Sequence, residues 1–349
     1  MKTIYLHIGF PRTATTTLQV HLFPNHPQIN YFGRIPREKP YLSLIDLVCN
    51  LNNDDFNYRY KEILKMVSDL TIDENKTNIL SSEFIISYST HYHKGSDNNT
   101  VCRSLKRIQN LFKDINIKVN FFCSIKSQAT IIPSFYSVTS PDIVSSKSKF
   151  GRRSMTFNAQ QIIDYIKTRK TENDKIKRFL DGYKYWKLHD EFNKDFNGET
   201  KLSFFVYEEF NNKFSEYISD YLRIDKDITY RLINKKRENT QETVLKEHPG
   251  INSKFSIIYK KLKKNFLSPN KLIENFDKKI FNLYFLLKDL VIKRRDRIEN
   301  INFEKDKESF KKQINILKNN SSLIKEYYKE DNLKLLNELK INIKEYGYF

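Results

Sequence analysis

The sequence predicts an α/β fold of three layers, with a central, mostly parallel sheet and a helical elaboration toward the C-terminal end. Two observations carry this prediction. Short apolar runs alternate with stretches of helical periodicity through the first two thirds of the chain, the pattern of parallel strands joined by crossover helices. Beyond about Gln241 no strand-like run recurs, and Ile251, Phe255, Ile258, Leu262 and Phe266 follow helical spacing. The expected division is a core at 1–240 and a mainly helical region at 241–349 that packs on or extends it.

The first run, Thr3 to Ile8, ends at Gly9-Phe10-Pro11, and Thr13 to Leu22 follows with Leu18 and Leu22 at helical spacing. That order is strand, turn, helix. Runs at Asn78 to Ser82 and Lys118 to Ile125 are each preceded by helical patterning, over Tyr58 to Leu70 and Val101 to Phe112. A fourth, Lys201 to Val206, follows the helical stretch Ile176 to Phe196. The polar, basic stretch Ser137 to Ser154 reads as a loop.

Composition narrows the class. With 349 residues, 39% of them hydrophobic, the chain can bury a sizeable core, which excludes a disordered tail. Its 61 Lys and Arg against 42 Asp and Glu give a net charge of +19, which attracts phosphates, sulfates, acidic glycans or anionic lipid. Part of that excess reads equally well as solvated surface. Cys49, Cys102 and Cys123 match neither a CxxC nor a zinc spacing, so a reducing compartment and no metal site are expected. His91 and His93 alternate as in an extended segment, with no third ligand suggested by spacing. The apolar run at the N-terminal end is too short for a signal peptide, and no stretch reaches the roughly 20 apolar residues of a bilayer span. A cytoplasmic protein is expected, at most peripheral at the inner face of the membrane.

The turn after the first strand, Gly9-Phe10-Pro11-Arg12-Thr13-Ala14-Thr15-Thr16-Thr17, is built to hold an anion. Ligands of open parallel sheets bind at the carboxyl ends of the strands. There a helix start offers backbone N–H groups, the threonines add hydroxyls and Arg12 adds a fixed charge. Set against the nucleotide-binding P-loop pattern GxxxxGK[ST], Gly9 falls on the first Gly, Ala14 on the second and Thr16 on the Ser/Thr, but Thr15 occupies the Lys position. The fold is therefore P-loop-like, and the missing lysine argues against a Mg-ATP kinase.

The segment Ile4 to Gln19 resembles the 5′-phosphosulfate loop of the sulfotransferases that use 3′-phosphoadenosine 5′-phosphosulfate (PAPS), which usually reads Pro-Lys-Thr/Ser-Gly-Thr-Thr. The resemblance implies that Arg12 stands for the lysine at the bridging oxygen and that Thr13, Thr15 and Thr16 contact the phosphosulfate. Arg for Lys at 12 and Ala for Gly at 14 depart from the pattern. Arg12 keeps the charge but gives up no proton, so its role is electrostatic. A second match lies at Lys126 and Ser134, eight residues apart, where the family has an Arg and a Ser for the 3′-phosphate. Lys for Arg leaves that contact a point charge. Lys236 and Arg237 lie where the family has a late basic loop over the same phosphate, and Phe204 to Phe210 resembles its strand ending in Tyr-Glu-Asp/Glu, read here as scaffold. The stretches Asp331-Asn332-Leu333 and Tyr346-Gly347-Tyr348 resemble the tail of bacterial members.

Transfer to an alcohol needs a group to take the hydroxyl proton. Glu83, after Ile79-Leu80-Ser81-Ser82 at a strand's carboxyl end, is the first candidate, and its Ser-Ser-Glu resembles that of bacterial glycan-type members. A helix-start carboxylate is the structural alternative. His7, inside the first strand, is the second candidate and reads equally as a core group.

The resemblance thus implies a PAPS-dependent sulfotransferase, with adenosine 3′,5′-bisphosphate (PAP) as product and no metal required. A surface polysaccharide or glycolipid hydroxyl is the expected acceptor, and a small alcohol, phenol or lipid the alternative. From other classes, an ATP-dependent phosphotransferase and a non-catalytic basic protein of membranes or nucleic acid remain as rivals, though no nucleic-acid module is visible. Ile251 to Lys271 is a basic amphipathic stretch that suits either an anionic membrane or the protein's own core.

Overall fold

A computed structural model describes residues 2–33, 39–86, 101–139, 157–171, 173–209, 213–234 and 311–349. His91 and His93, Lys236 and Arg237, the amphipathic stretch Ile251 to Lys271 and most of the Ser137 to Ser154 loop lie outside the described residues.

The protein is α/β, built on a five-stranded sheet in the order β2-β3-β1-β4-β5, with every pair parallel. The strands are β1 (Lys2–His7), β2 (Ile29–Gly33), β3 (Thr77–Ser81), β4 (Ile117–Ile125) and β5 (Leu202–Val206). Four of them occupy the predicted runs. β2 is additional: it lies at the sheet edge, pairing with β3 from Ile29 opposite Thr77 to Gly33 opposite Ser81. Its apolar residues Ile29, Tyr31 and Phe32 do not alternate, which hides it from a period-two reading.

Register decides which side chains share a face. Tyr5 lies opposite Ile79, which lies opposite Tyr31, so these point to one side together with Phe122 and Phe205. Leu18, Leu22 and Phe23 cover that side, with Phe214, Ile218 and Leu222 of the helix Lys213–Leu222 and Ile233 of the helix Lys226–Ile233. Phe121, of opposite parity, meets the stacked rings of Phe192 and Phe196 from the helix Tyr185–Phe196 on the other side. Helices on both faces make the three layers, and the carboxyl edge between them is left for a site.

Helix boundaries refine the predicted elements. The stretch read as one helix from Ile176 to Phe196 is two, Asp174–Asp181 and Tyr185–Phe196, separated by a turn at Gly182. The last described stretch is helical over 311–319 and Ser321–Leu339. By compactness the chain divides into a unit comprising 1–135, 160–238 and 317–349 and a second comprising 136–159 and 239–316. The first unit therefore takes in the end of the region that composition assigns to the helical elaboration. Among the described residues no helix is long and apolar enough to cross a membrane.

Candidate functional site

The site is assembled from the turns that follow β1, β3, β4 and β5 at one edge of the sheet. β1 is central, with β3 and β4 on either side of it. Their ends are tied by backbone bonds: Ile8 N–H donates to the Phe122 carbonyl at 3.0 Å, and Ser82 N–H to the His7 carbonyl at 2.9 Å. Residues 8–15, 82–83 and 126–127 thus leave the sheet side by side.

The first turn is tight. Thr13 donates both its hydroxyl, at 2.6 Å, and its backbone N–H, at 3.3 Å, to the Phe10 carbonyl. The resemblance gives Thr13 a ligand role, but its one hydroxyl proton closes the turn. Arg12 and Ala14 have φ of 72° and 60°, both in the left-handed region, before the helical residues Thr15–Thr17 begin. A non-glycine residue there costs about 1–2 kcal/mol. That conformation suits a glycine, and Ala14→Gly is expected to stabilise the fold by about 1 kcal/mol, read as a shift in urea midpoint. Gly9 has a different reason to be glycine. A Cβ there would collide with the Thr15 methyl and lie 2.7 Å from His7 Nε2.

Two pairs of distant residues meet at this turn. Arg12 Nε donates to Ser134 Oγ at 3.0 Å, which joins the first-turn cation to the second motif, 122 residues away in sequence. The Thr15 hydroxyl donates to Glu83 Oε2 at 3.0 Å, which fixes the carboxylate against the turn. Lys126, at the end of β4, sets its ammonium 4.3 Å from the centre of the Tyr207 ring. Burial lowers the Lys126 pKa; the nearby Glu208 raises it and the nearby Arg12 lowers it further. Burial likewise lowers Arg12, offset by Tyr207 and Glu83. Two half-buried cations, one within the other's field, form a place where two negative groups, or one of high charge, regain favourable interaction.

His7 is placed beneath the turn rather than in it. It is fully buried, with the rings of Phe23 and Phe122 packed against it, and Nδ1 lies 2.8 Å from Ser81 Oγ, which also accepts from Gln19 Nε2 at 3.0 Å. Burial pushes its pKa down to about 3, so the ring is neutral at ordinary pH. This gives it the core role of the two read from the sequence. Pro11 and Thr17 are buried and Thr16 half-buried in the same turn and helix start.

Sequence reasoning passed over Glu208 and Tyr207, read only as scaffold. Glu208 Oε1 accepts the Ser127 N–H at 2.9 Å, and burial raises the pKa of this carboxyl. The available signal was an acidic pair directly after an apolar strand in a strongly basic chain. Taken together, fold and site make this an α/β protein with two cations, hydroxyls and the carboxylates of Glu83 and Glu208 at the carboxyl edge of its sheet. No protein-family model matches the chain, and no curated protein matches it in sequence.

Proposed function

We propose that this chain is a sulfotransferase that moves the sulfuryl group from PAPS to a hydroxyl of a carbohydrate. One observation carries the reading: the 3.0 Å bond from Arg12 to Ser134 brings the two motifs of the resemblance together. Neither motif's spacing requires that meeting. The donor set suits the ligand, since PAPS carries separated anionic groups and the site offers two cations and hydroxyls with no metal among its proposed ligands.

In this reading Arg12 with Thr16 holds the 5′-phosphosulfate, the Thr15 hydroxyl holds Glu83, and Lys126 with Ser134 holds the 3′-phosphate. Glu83 takes the proton of the acceptor hydroxyl as its oxygen bonds to sulfur. The bond from sulfur to the bridging oxygen breaks, and that oxygen leaves on PAP with the electron pair. Arg12 stabilises the charge developing there, a fixed cation that needs no reorganisation. The carbohydrate acceptor, such as a surface polysaccharide or glycolipid, rests on the resemblance and on the +19 charge, as does action in the cytoplasm at the inner membrane face. The reading is tested by PAPS-dependent release of PAP with polysaccharide, glycolipid, small-alcohol and phenol acceptors. Sulfate appearing on a glycan supports it. Sulfate appearing only on a small alcohol or phenol moves the acceptor class, and transfer of phosphate from ATP-Mg instead would overturn it.

A further inference from the structure

Three consecutive residues of the turn after β4 are each bonded to a different part of the chain. The Lys126 carbonyl accepts the Tyr185 hydroxyl at 2.6 Å. Ser127 donates its backbone N–H to Glu208 Oε1 at 2.9 Å and its hydroxyl to the Gly347 carbonyl at 2.8 Å. The Gln128 and Asn332 amides exchange two bonds, at 3.0 and 3.1 Å, and Gln128 Nε2 also donates to the Tyr183 carbonyl at 3.1 Å. The network then closes on itself. Asn332 Nδ2 donates to the Tyr348 carbonyl at 2.9 Å, and the Tyr348 hydroxyl donates to Glu208 Oε2 at 3.2 Å. Ser127, Gln128, Asn332, Tyr185 and Tyr348 are all buried, so these are bonds made away from competing water.

This is more fixing than a strand-to-helix turn needs for its own backbone. Its consequence lies with Lys126. The ammonium lies close enough to Arg12 to be disfavoured by it, and Glu208 is the carboxylate whose field favours it. Left to itself, a flexible lysine would swing away from the second cation. Both Glu208 oxygens are held, one by the turn that bears Lys126 and the other by Tyr348. The same turn leads into the helix Gln128–Thr139 that carries Ser134. Its geometry therefore sets both Lys126 and Ser134 relative to Arg12.

We infer that Glu208 and the segment Gly347–Tyr348 act as a positioning device for the anion site. They hold the turn at Lys126–Gln128 so that Lys126 stays beside Arg12 and can discriminate for a ligand bearing a second, 3′-linked phosphate. The inference rests on the donor-site reading above, so its test has one arm that needs no ligand.

The variants are Tyr348→Phe, which removes one hydroxyl and keeps the ring, and Glu208→Gln, which keeps the shape and removes the charge. Amide hydrogen exchange at Ser127 is the ligand-free readout and is expected to rise about tenfold or more in both variants while the β4 amides stay protected. Calorimetric affinities for PAP and 5′-AMP are the second readout. PAP binding is expected to weaken about five- to tenfold and 5′-AMP binding to change less than about twofold, a ratio that general loosening would not move. Unchanged Ser127 exchange, or equal weakening of both nucleotides, overturns the positioning role. If wild type itself prefers PAP no more than 5′-AMP, the donor-site reading fails and takes the discrimination claim with it. Ser127 exchange alone then decides the clamp.

Discussion

Replacing Glu83 by Gln is expected to lower the rate of sulfuryl transfer by about 10²- to 10⁴-fold and to leave PAP affinity within about threefold of wild type. The substitution is nearly isosteric. The Gln carbonyl oxygen can still accept the Thr15 hydroxyl that the carboxylate accepts at 3.0 Å, so the turn keeps its shape. What it loses is the capacity to take a proton. A group acting only on the transition state changes kcat and leaves ground-state binding of the product nucleotide alone, whereas a helix-start carboxylate holding the turn together would change binding and stability as well. Single-turnover transfer measured beside PAP titration separates the two roles. A variant that transfers sulfuryl at the wild-type rate would move the base elsewhere, and His7 would not inherit the role because it is fully buried.

The largest stability effect is expected far from the site, at Arg107. This side chain is buried in the helix Val101–Asp114 and donates to four oxygens. Nη1 reaches the Val48 and Leu51 carbonyls, both at 2.8 Å, and Nη2 reaches the Asn52 carbonyl at 3.1 Å and Asn53 Oδ1 at 2.9 Å. The guanidinium also stacks 4.2 Å from the centre of the Phe56 ring. It thus closes the exposed carbonyl end of the helix Lys39–Asn50 and the start of the next helix, Asn53–Tyr58, in one step. Burial draws its pKa down to about 10, still well above neutral, so the group stays charged. Arg107→Ala leaves several part-buried oxygens without donors and is expected to cost about 3–4 kcal/mol, seen as a lower urea midpoint at unchanged slope. Arg107→Lys keeps the charge but not the fork and should recover less than half of that.

How much of this was legible in the sequence depends on whether the signal was local. β1, β3, β4 and β5 are buried runs flanked by turn or helical signals, and a one-dimensional reading finds them. β2 is held by one neighbour and shows no alternation, so only the tertiary partner β3 reveals it. The first turn was readable because its chemistry is contiguous from Gly9 to Thr17. Its conformation was readable in part, since Ala14 marks the place of a glycine but nothing marks Arg12 as left-handed. The Thr13 bond was not legible because a hydroxyl's partner cannot be read from spacing, and here the partner is the carbonyl three residues earlier. The contribution of Glu208 and Asn332 was hidden because they reach Ser127 and Gln128 from 81 and 204 residues away in sequence, and Tyr348 reaches Glu208 from 140, in a network made by folding alone.

The measurement that tests the central claim most directly is calorimetric titration of wild type and Lys126→Ala with PAP, beside 5′-AMP and ATP-Mg. The account predicts that PAP binds about tenfold or more tightly than 5′-AMP and more tightly than ATP-Mg, and that Lys126→Ala removes most of that preference while leaving 5′-AMP binding nearly unchanged. PAP binding no tighter than 5′-AMP, or a preference that survives the loss of Lys126, would contradict it.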